Sequence, residues 1–300
     1  MTGTLEYNVP DAVYFRRELD VASNSGLKII DEKSPAHYLH WCQNPDQDKA
    51  SKVFDFGHGL HALVLEPDLF DTGFCVLPHD APSRPTSRQV NAAKPAPATI
   101  AQIDWWAGWD ADHVGMVELT GKQYDDARGM VESMRAHVLN IPDSTGQMVT
   151  IRSGELFDLC RKEVTLRWTD PRTGIQCKGR ADLDCEEFGF MGDVKSTVDA
   201  SPEGFARAVH TYRYHQQHVH YTDGAQATGT QRGNFLFFAC EKTAPFVPAV
   251  YVVPAMAEER GRFLRDRALD KLKACLDSGA WPPYANGITE LVLPAWAYFE

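Results

Sequence analysis

The chain has 300 residues and carries 30 Lys and Arg against 41 Asp and Glu, a formal net charge of −11 with His neutral. Apolar residues make up 43% and charged residues 24%, a globular composition that excludes a disordered chain, a collagen-like repeat and a coiled-coil rod. The acidic balance by itself argues against a polyanionic partner, because phosphate binding draws on Lys and Arg.

Met1–Asp20 has neither a basic start nor an apolar core, so no signal peptide is expected. The longest apolar stretches, Phe235–Cys240 and Phe246–Met256, fall short of the ~18–20 residues that span a bilayer. The seven cysteines (42, 75, 160, 177, 185, 240 and 275) include no C-x-x-C pair. That disfavours a disulfide framework, a thiolate zinc site and an iron–sulfur cluster, and suits core thiols in a reducing cytoplasm.

Ser34-Pro35 opens a helical stretch through Trp41, with proline at the first helical position, where its missing N–H costs nothing. Gly57–Leu65 reads as a buried helix, with Leu60, Leu63 and Val64 on one face and Pro67 beyond its end. Pro78–Pro97 reads as a loop with five prolines, the cations Arg84, Arg88 and Lys94, and one acid, Asp80. Trp105, Trp106 and Trp109 are either core aromatics or base-stacking groups. Lys122–Leu139 reads as an amphipathic helix stopped by Pro142.

The period then changes from helical to alternating. Glu163–Trp168, Ile175–Cys185 and Phe190–Lys195 form a predicted three-stranded antiparallel meander, with turn chemistry at Thr169–Gly174. Ser201–Thr228 is predicted helical with a break near Thr211. Asn234–Cys240 and Val247–Val253 read as strands, Ala255–Ser278 as a long helix, and WPPYANGITELVLPAW as a terminal strap. The order gives one mixed α/β domain with a helical N-terminal half.

Strict alternation places Ile175, Cys177, Gly179, Ala181 and Leu183 on one strand face, and Lys178, Arg180, Asp182 and Asp184 on the other. Asp193 and Lys195 share a face, about 6.5–7 Å apart along their strand. If Cys185 pairs with Phe190, Asp182 falls opposite Asp193. Like charges there are destabilising unless they share a proton or a divalent cation. His210, His215, His218 and His220 resemble a metal cluster, but His220 does not share the helix face of His215 and His218.

Asp182 with Asp193-Val194-Lys195 resembles the core of the PD-(D/E)XK nuclease superfamily. Gly57–His61 matches the GxxxH element of its RecB-like branch, and Gln217–Tyr221 matches the QxxxY element. SPAHYLHW at 34–41, FGHGLHALVLEPDLF at 56–70, CKGRADLD at 177–184, GDVKST at 192–197 and the terminal strap are similar to phage and prophage exonucleases of the RecE type. The resemblance covers residues 23–300 as a single domain, with 1–22 as an N-terminal extension. It implies a mixed central sheet carrying the meander, flanked by helices.

The resemblance also implies roles. His61, Asp182, Asp193 and the Val194 carbonyl would hold Mg²⁺ or Mn²⁺, an imidazole being the less usual ligand for Mg²⁺. Lys195 would orient the attacking water and offset charge on the phosphate. Gln217 and Tyr221, one turn apart on a helix, would position Lys195 or the scissile phosphate. Glu66 and Glu163 would stand outside the ligand set, in support. The implied partners are ends of double-stranded DNA, a RecT-like single-strand annealing protein and further copies of the chain in a ring. The implied setting is the cytoplasm of a bacterial cell or phage-infected host. Lys178, Arg180, Arg84, Arg88 and Lys94 are expected to line the DNA path. Ser25 and Lys28 are candidates for a terminal phosphate. An endonuclease of the same fold and a non-catalytic DNA-binding module are the alternatives.

Overall fold

The computed structural model describes residues 3–45, 52–230, 232–285, 287–294 and 297, the side chains of 52–55 and 69 apart. The chain opens with strand β1 (Gly3–Glu6), a helical turn α1 (Asp11–Tyr14) and strand β2 (Val21–Ser23). Helices α2 (Asn24–Glu32), α3 (Pro35–Gln43) and α4 (Lys52–Leu65) follow. Ser23 and Ser34 cap α2 and α3 by accepting the amides of Gly26 and His37.

A turn, α5 (Phe70–Gly73), leads into β3 (Phe74–Leu77). The Pro-rich loop holds one helical turn, α6 (Ser87–Val90), closed by a capping box between Thr86 and Gln89. Then come α7 (Pro97–Asp112), β4 (Val117–Thr120) and α8 (Gly121–Ala136). The helix predicted to reach Leu139 ends at Ala136, because the period changes there. Val138–Pro142 forms strand β5 against β6 (Met148–Arg152), and Leu139 and Ile141 pack inward with Val149 and Ile151.

Helix α9 (Ser153–Leu159) precedes β7 (Arg161–Thr169), β8 (Gln176–Cys185) and β9 (Phe190–Thr197), the predicted antiparallel meander. Helices α10 (Pro202–Tyr212) and α11 (Tyr214–Thr228) are separated by Arg213 at φ 58°, close to the predicted break. Strands β10 (Asn234–Glu241) and β11 (Pro248–Val252) and helix α12 (Ala255–Ser278) complete the elements. The strap anchors itself by stacking Trp281 on Tyr38 at 5.8 Å. Its Ala295 and Trp296 lie outside the described residues.

Among the described residues the central sheet has seven strands in the order β1-β7-β8-β9-β10-β11, with β2 added to β8. Pairs β9–β10 and β2–β8 are parallel and the rest antiparallel, so the sheet is mixed. Gly3–Glu6 and Val21–Ser23, near the N-terminus, each add a strand to this sheet. β1 covers the edge of β7, which would otherwise present unpaired backbone. One core packs α2, α3, α11 and α12 on the sheet through Leu27, Tyr38, Ala225 and Leu269. The other packs α4, α8 and α9 through Leu60, Met130 and Phe157.

One edge of β8 is shared by two strands. β9 pairs with Leu183–Cys185, and β2 pairs with Gln176–Lys178. Between them, Gly179–Asp182 has no strand on that edge. The sheet forks there, and Asp182 and Asp193 are the first residues beyond the last β8–β9 pair, Leu183–Gly192.

Candidate active site

The fork frees backbone groups that a continuous ladder would pair. The carboxylate of Asp182 accepts the Val194 amide at 2.7 Å and so closes one of them. The predicted register, Cys185 opposite Phe190, is the observed one. Strict alternation along β8 does not survive the fork. Gly179 lies under the Tyr221 ring and Ala181 joins that core, whereas Leu183 and Cys185 belong to the opposite core. The strand turns its faces over at Asp182. On the neighbouring strand, the β7–β8 ladder skips Glu163, which sits at φ 49°. A left-handed conformation costs a non-glycine residue about 1–2 kcal/mol. It brings the Glu163 carboxylate to the fork.

His61 arrives from α4. Its Nε2 is 3.0 Å from the Val194 carbonyl, and its Nδ1 is 3.5 Å from Asp182 Oδ2. His61, Glu163 and Asp182 each offer a ligand atom, all within 4.8 Å of one another, with Val194 O on the same side. Burial, then repulsion from Asp193, pushes the Asp182 carboxyl well above the usual carboxylate range. Burial, then Asp182, pushes Glu163 up to about 8, although Arg180 lies 3.5 Å away. Burial holds His61 below its ordinary value, as a neutral ligand requires. Crowded carboxylates beside a neutral imidazole form a donor set that fits a divalent cation, which would take the place of the protons these groups otherwise retain. The site opens to solvent: the side chain of His61 is 33% exposed.

Asp193 turns the other way. Its carboxylate pairs with Lys195 and accepts from Gln217 of α11. Burial works against the Lys195 ammonium, but Asp193, Tyr214 and Asp182 outweigh it and raise its pKa. Lys195 is thus a cation, held 4.7 Å above the Tyr214 ring. Tyr221 follows Gln217 by one turn, as predicted. It packs under Gly179, where a Cβ would come within 2.8 Å of the ring, and so sits beneath the β8 backbone.

Glu163, expected in support, stands in the ligand-capable group itself, while Asp193 faces Lys195. The signal for Glu163 lay in the register, since its position falls opposite Asp182. Tyr214 was not singled out from the sequence, although its place directly after the helix break carries it over Lys195. Glu66 is exposed just beyond α4, near enough to raise Glu163.

Three of the cations expected to line a DNA path are taken up by other groups of the chain. Lys178 is buried, and its ammonium donates to the carbonyls of Tyr14 and Arg16 at 2.8 and 2.6 Å. Arg180 is buried against the Tyr14 ring and bound to Asp11 at 2.6 Å and to the Val9 carbonyl. Both hold the N-terminal segment on the sheet. Arg84 is taken up by Asp110, Glu118 and the face of Trp106. Arg88 and Lys94 remain exposed. Lys28 lies 5.7 Å over Tyr212, which stacks on Tyr214, and Ser25 is exposed on the first turn of α2.

Trp106 is buried, and Trp105 and Trp109 stack on each other at 5.5 Å. The histidines of α10 and α11 scatter: His215 faces the Val209 carbonyl, His218 approaches Glu258, and His220 faces the Lys178 carbonyl. Among the described residues they form no metal cluster. All seven cysteines are free thiols, and all but Cys42 are buried. No helix among the described residues is long and apolar enough to cross a membrane.

The fold agrees with comparison to known proteins. No curated protein matches the chain. A solved structure, "Putative exonuclease" from Eubacterium rectale, superposes with a TM-score of 0.58 over 98% of this chain and 99% of that one. Identity between the two is 10%, so the likeness is one of fold. Residues 23–292 match the family described as "PDDEXK-like domain of unknown function (DUF3799)". The match takes in β7, β8, β9 and every side chain of the site, and the chain belongs to this PDDEXK-like family.

Proposed function

We propose that the chain is a divalent-metal-dependent exodeoxyribonuclease acting on the ends of linear double-stranded DNA, with Mg²⁺ or Mn²⁺ as cofactor. The observation that carries the reading is the convergence at the fork: His61, Glu163, Asp182 and the Val194 carbonyl on one side, and the Asp193–Lys195 pair on the other. The family membership and the fold shared with the Eubacterium rectale protein support nuclease chemistry.

A bound cation would lower the pKa of a water and offset charge on a phosphate oxygen. His61, Glu163, Asp182 and Val194 would hold it. Lys195 sets a second positive charge beside that position, where negative charge grows as the phosphodiester is attacked. Asp193 and Gln217 fix where the ammonium points, and Tyr214 supports it from below. Digestion from 5′ to 3′, the resulting 3′ tail, a RecT-like annealing partner and a ring of copies rest on the RecE-type resemblance.

The test is digestion of linear and closed circular duplex with Mg²⁺, Mn²⁺ or EDTA. Loss of linear DNA alone, blocked by EDTA, is expected. Label at the 5′ end should be released first. Cutting of circles would make the protein an endonuclease, and no digestion in either metal would leave only a binding module.

A further inference from the structure

Behind the first turn of α11, away from the fork, lies a cavity of about 390 Å³. Its size falls in the ~300–1,000 Å³ range of small-ligand sites. Its wall includes Arg213, Arg260, Arg267, His210, His215 and Glu32. The charges do not cancel. Asp31, whose side chain is fully buried, binds Arg213 at 2.7 Å, Arg267 at 2.6 Å and Lys271 at 2.8 Å. Glu32 adds one carboxylate, on Arg213 at 2.8 Å. Arg260 meets no carboxylate among the described residues and rests 5.1 Å over the Phe263 ring. Four cations thus face two carboxylates.

His215 turns Nδ1 to the Val209 carbonyl at 3.1 Å, so that nitrogen carries the proton and Nε2 of the neutral ring can only accept, as from the P–OH of a monohydrogen phosphate. Burial lowers its pKa against the hydrogen bond to Val209, and the neighbouring His210, Arg213 and Arg260 lower it further. Guanidinium forks in a positive pocket match tetrahedral oxyanions better than a planar or apolar ligand. We propose that this cavity binds a phosphate group, either free or in a nucleotide or nucleic-acid backbone. The site needs neither metal nor turnover. Arg260 supplies the unneutralised charge, Arg213 and Arg267 the framework, and His210 a further polar contact.

The test is isothermal titration of the full chain in EDTA with inorganic phosphate, thymidine 5′-monophosphate and a short duplex. Arg260→Glu and His210→Asp are the variants. Both residues are exposed, and unchanged melting confirms their fold. Binding of at least one probe, weakened about tenfold or more in both variants, is expected. Binding of inorganic phosphate or the monophosphate identifies a free ligand, and binding of duplex alone identifies a backbone phosphate. Absence of binding by all three probes, or equal binding by the variants, overturns the site.

Discussion

The Asp182 carboxylate accepts the Val194 amide at 2.7 Å across the mouth of the sheet fork. One bond therefore does two things: it closes a backbone donor that β8 leaves unpaired, and it fixes the carboxylate beside His61, whose Nδ1 is 3.5 Å from the same oxygen. Asp182→Asn separates these roles, because the amide still offers an acceptor to Val194 but no charge. The variant should fold and melt near wild type. Its Mn²⁺ affinity should fall, and its nuclease rate should drop by about 10²-fold or more. Calorimetric Mn²⁺ titration beside a digestion assay measures both. Wild-type values in the two assays would remove Asp182 from the site.

Lys195 is held as a cation by Asp193 and lies over Tyr214. Lys195→Met keeps the aliphatic stem over the ring and deletes the charge. The rate should fall about 10²-fold or more while Mn²⁺ binding persists, because Lys195 is no ligand. Loss of Mn²⁺ binding in step with the rate would show that Lys195 shapes the metal site instead.

Glu163 is expected to behave in the opposite sense. Half-buried beside Asp182, its carboxyl is pushed up to about 8, so without metal it burdens the fold. Glu163→Gln should melt at or above wild type in EDTA. It should gain less on adding Mn²⁺, where a ligand at 100 times its Kd contributes about 2.7 kcal/mol. Thermal melts with and without Mn²⁺ read both effects. An undiminished Mn²⁺ shift would place Glu163 outside the ligand set.

The fork explains which parts of the site were legible from sequence. The hairpin register followed from the short link between Cys185 and Phe190, and with it the nearness of Asp182 to Asp193. Gln217 and Tyr221 came from the resemblance to the QxxxY element, and helical spacing put them on one face. The direction of each carboxylate was not legible, since it depends on the turn-over of β8 and on φ 49° at Glu163, and alternation presumes a regular strand. Lys178 and Arg180 were misread for a related reason. A cation on a strand looks solvent-facing until α1 and the residues flanking it, themselves without a strong sequence signal, fold over it.

Gly261 lets α12 approach α11. A Cβ there would meet the His215 carbonyl at 2.1 Å, and backbone cannot move aside as a side chain can. Gly261→Ala should cost about 1–3 kcal/mol, offset by less than ~1 kcal/mol of gained helix propensity. Urea unfolding measures it. A neutral or stabilised variant would mean that the helices separate freely.

Asp31 is the most heavily paired acid in the helical layer, tying α2 to Arg213 at the α10–α11 break and to α12. Burial raises its pKa, but hydrogen bonds from Arg267, Lys271 and Arg213 outweigh that and hold it well below the usual carboxylate range. Asp31→Asn leaves three cations facing one another. Arg267 and Lys271 are 41% and 39% exposed and can rehydrate, so the loss at pH 7 should be about 2–3 kcal/mol rather than the ~3–5 kcal/mol of a fully buried pair. A depressed carboxylate stabilises the fold above its unfolded pKa of about 3.9, and that contribution fades as pH falls toward the lower native value. The gap between wild type and Asp31→Asn in urea unfolding should therefore hold constant from pH 7 to about pH 5 and narrow below about pH 4. A gap that stays constant through pH 3 would mean that the Asp31 charge is not what joins these helices.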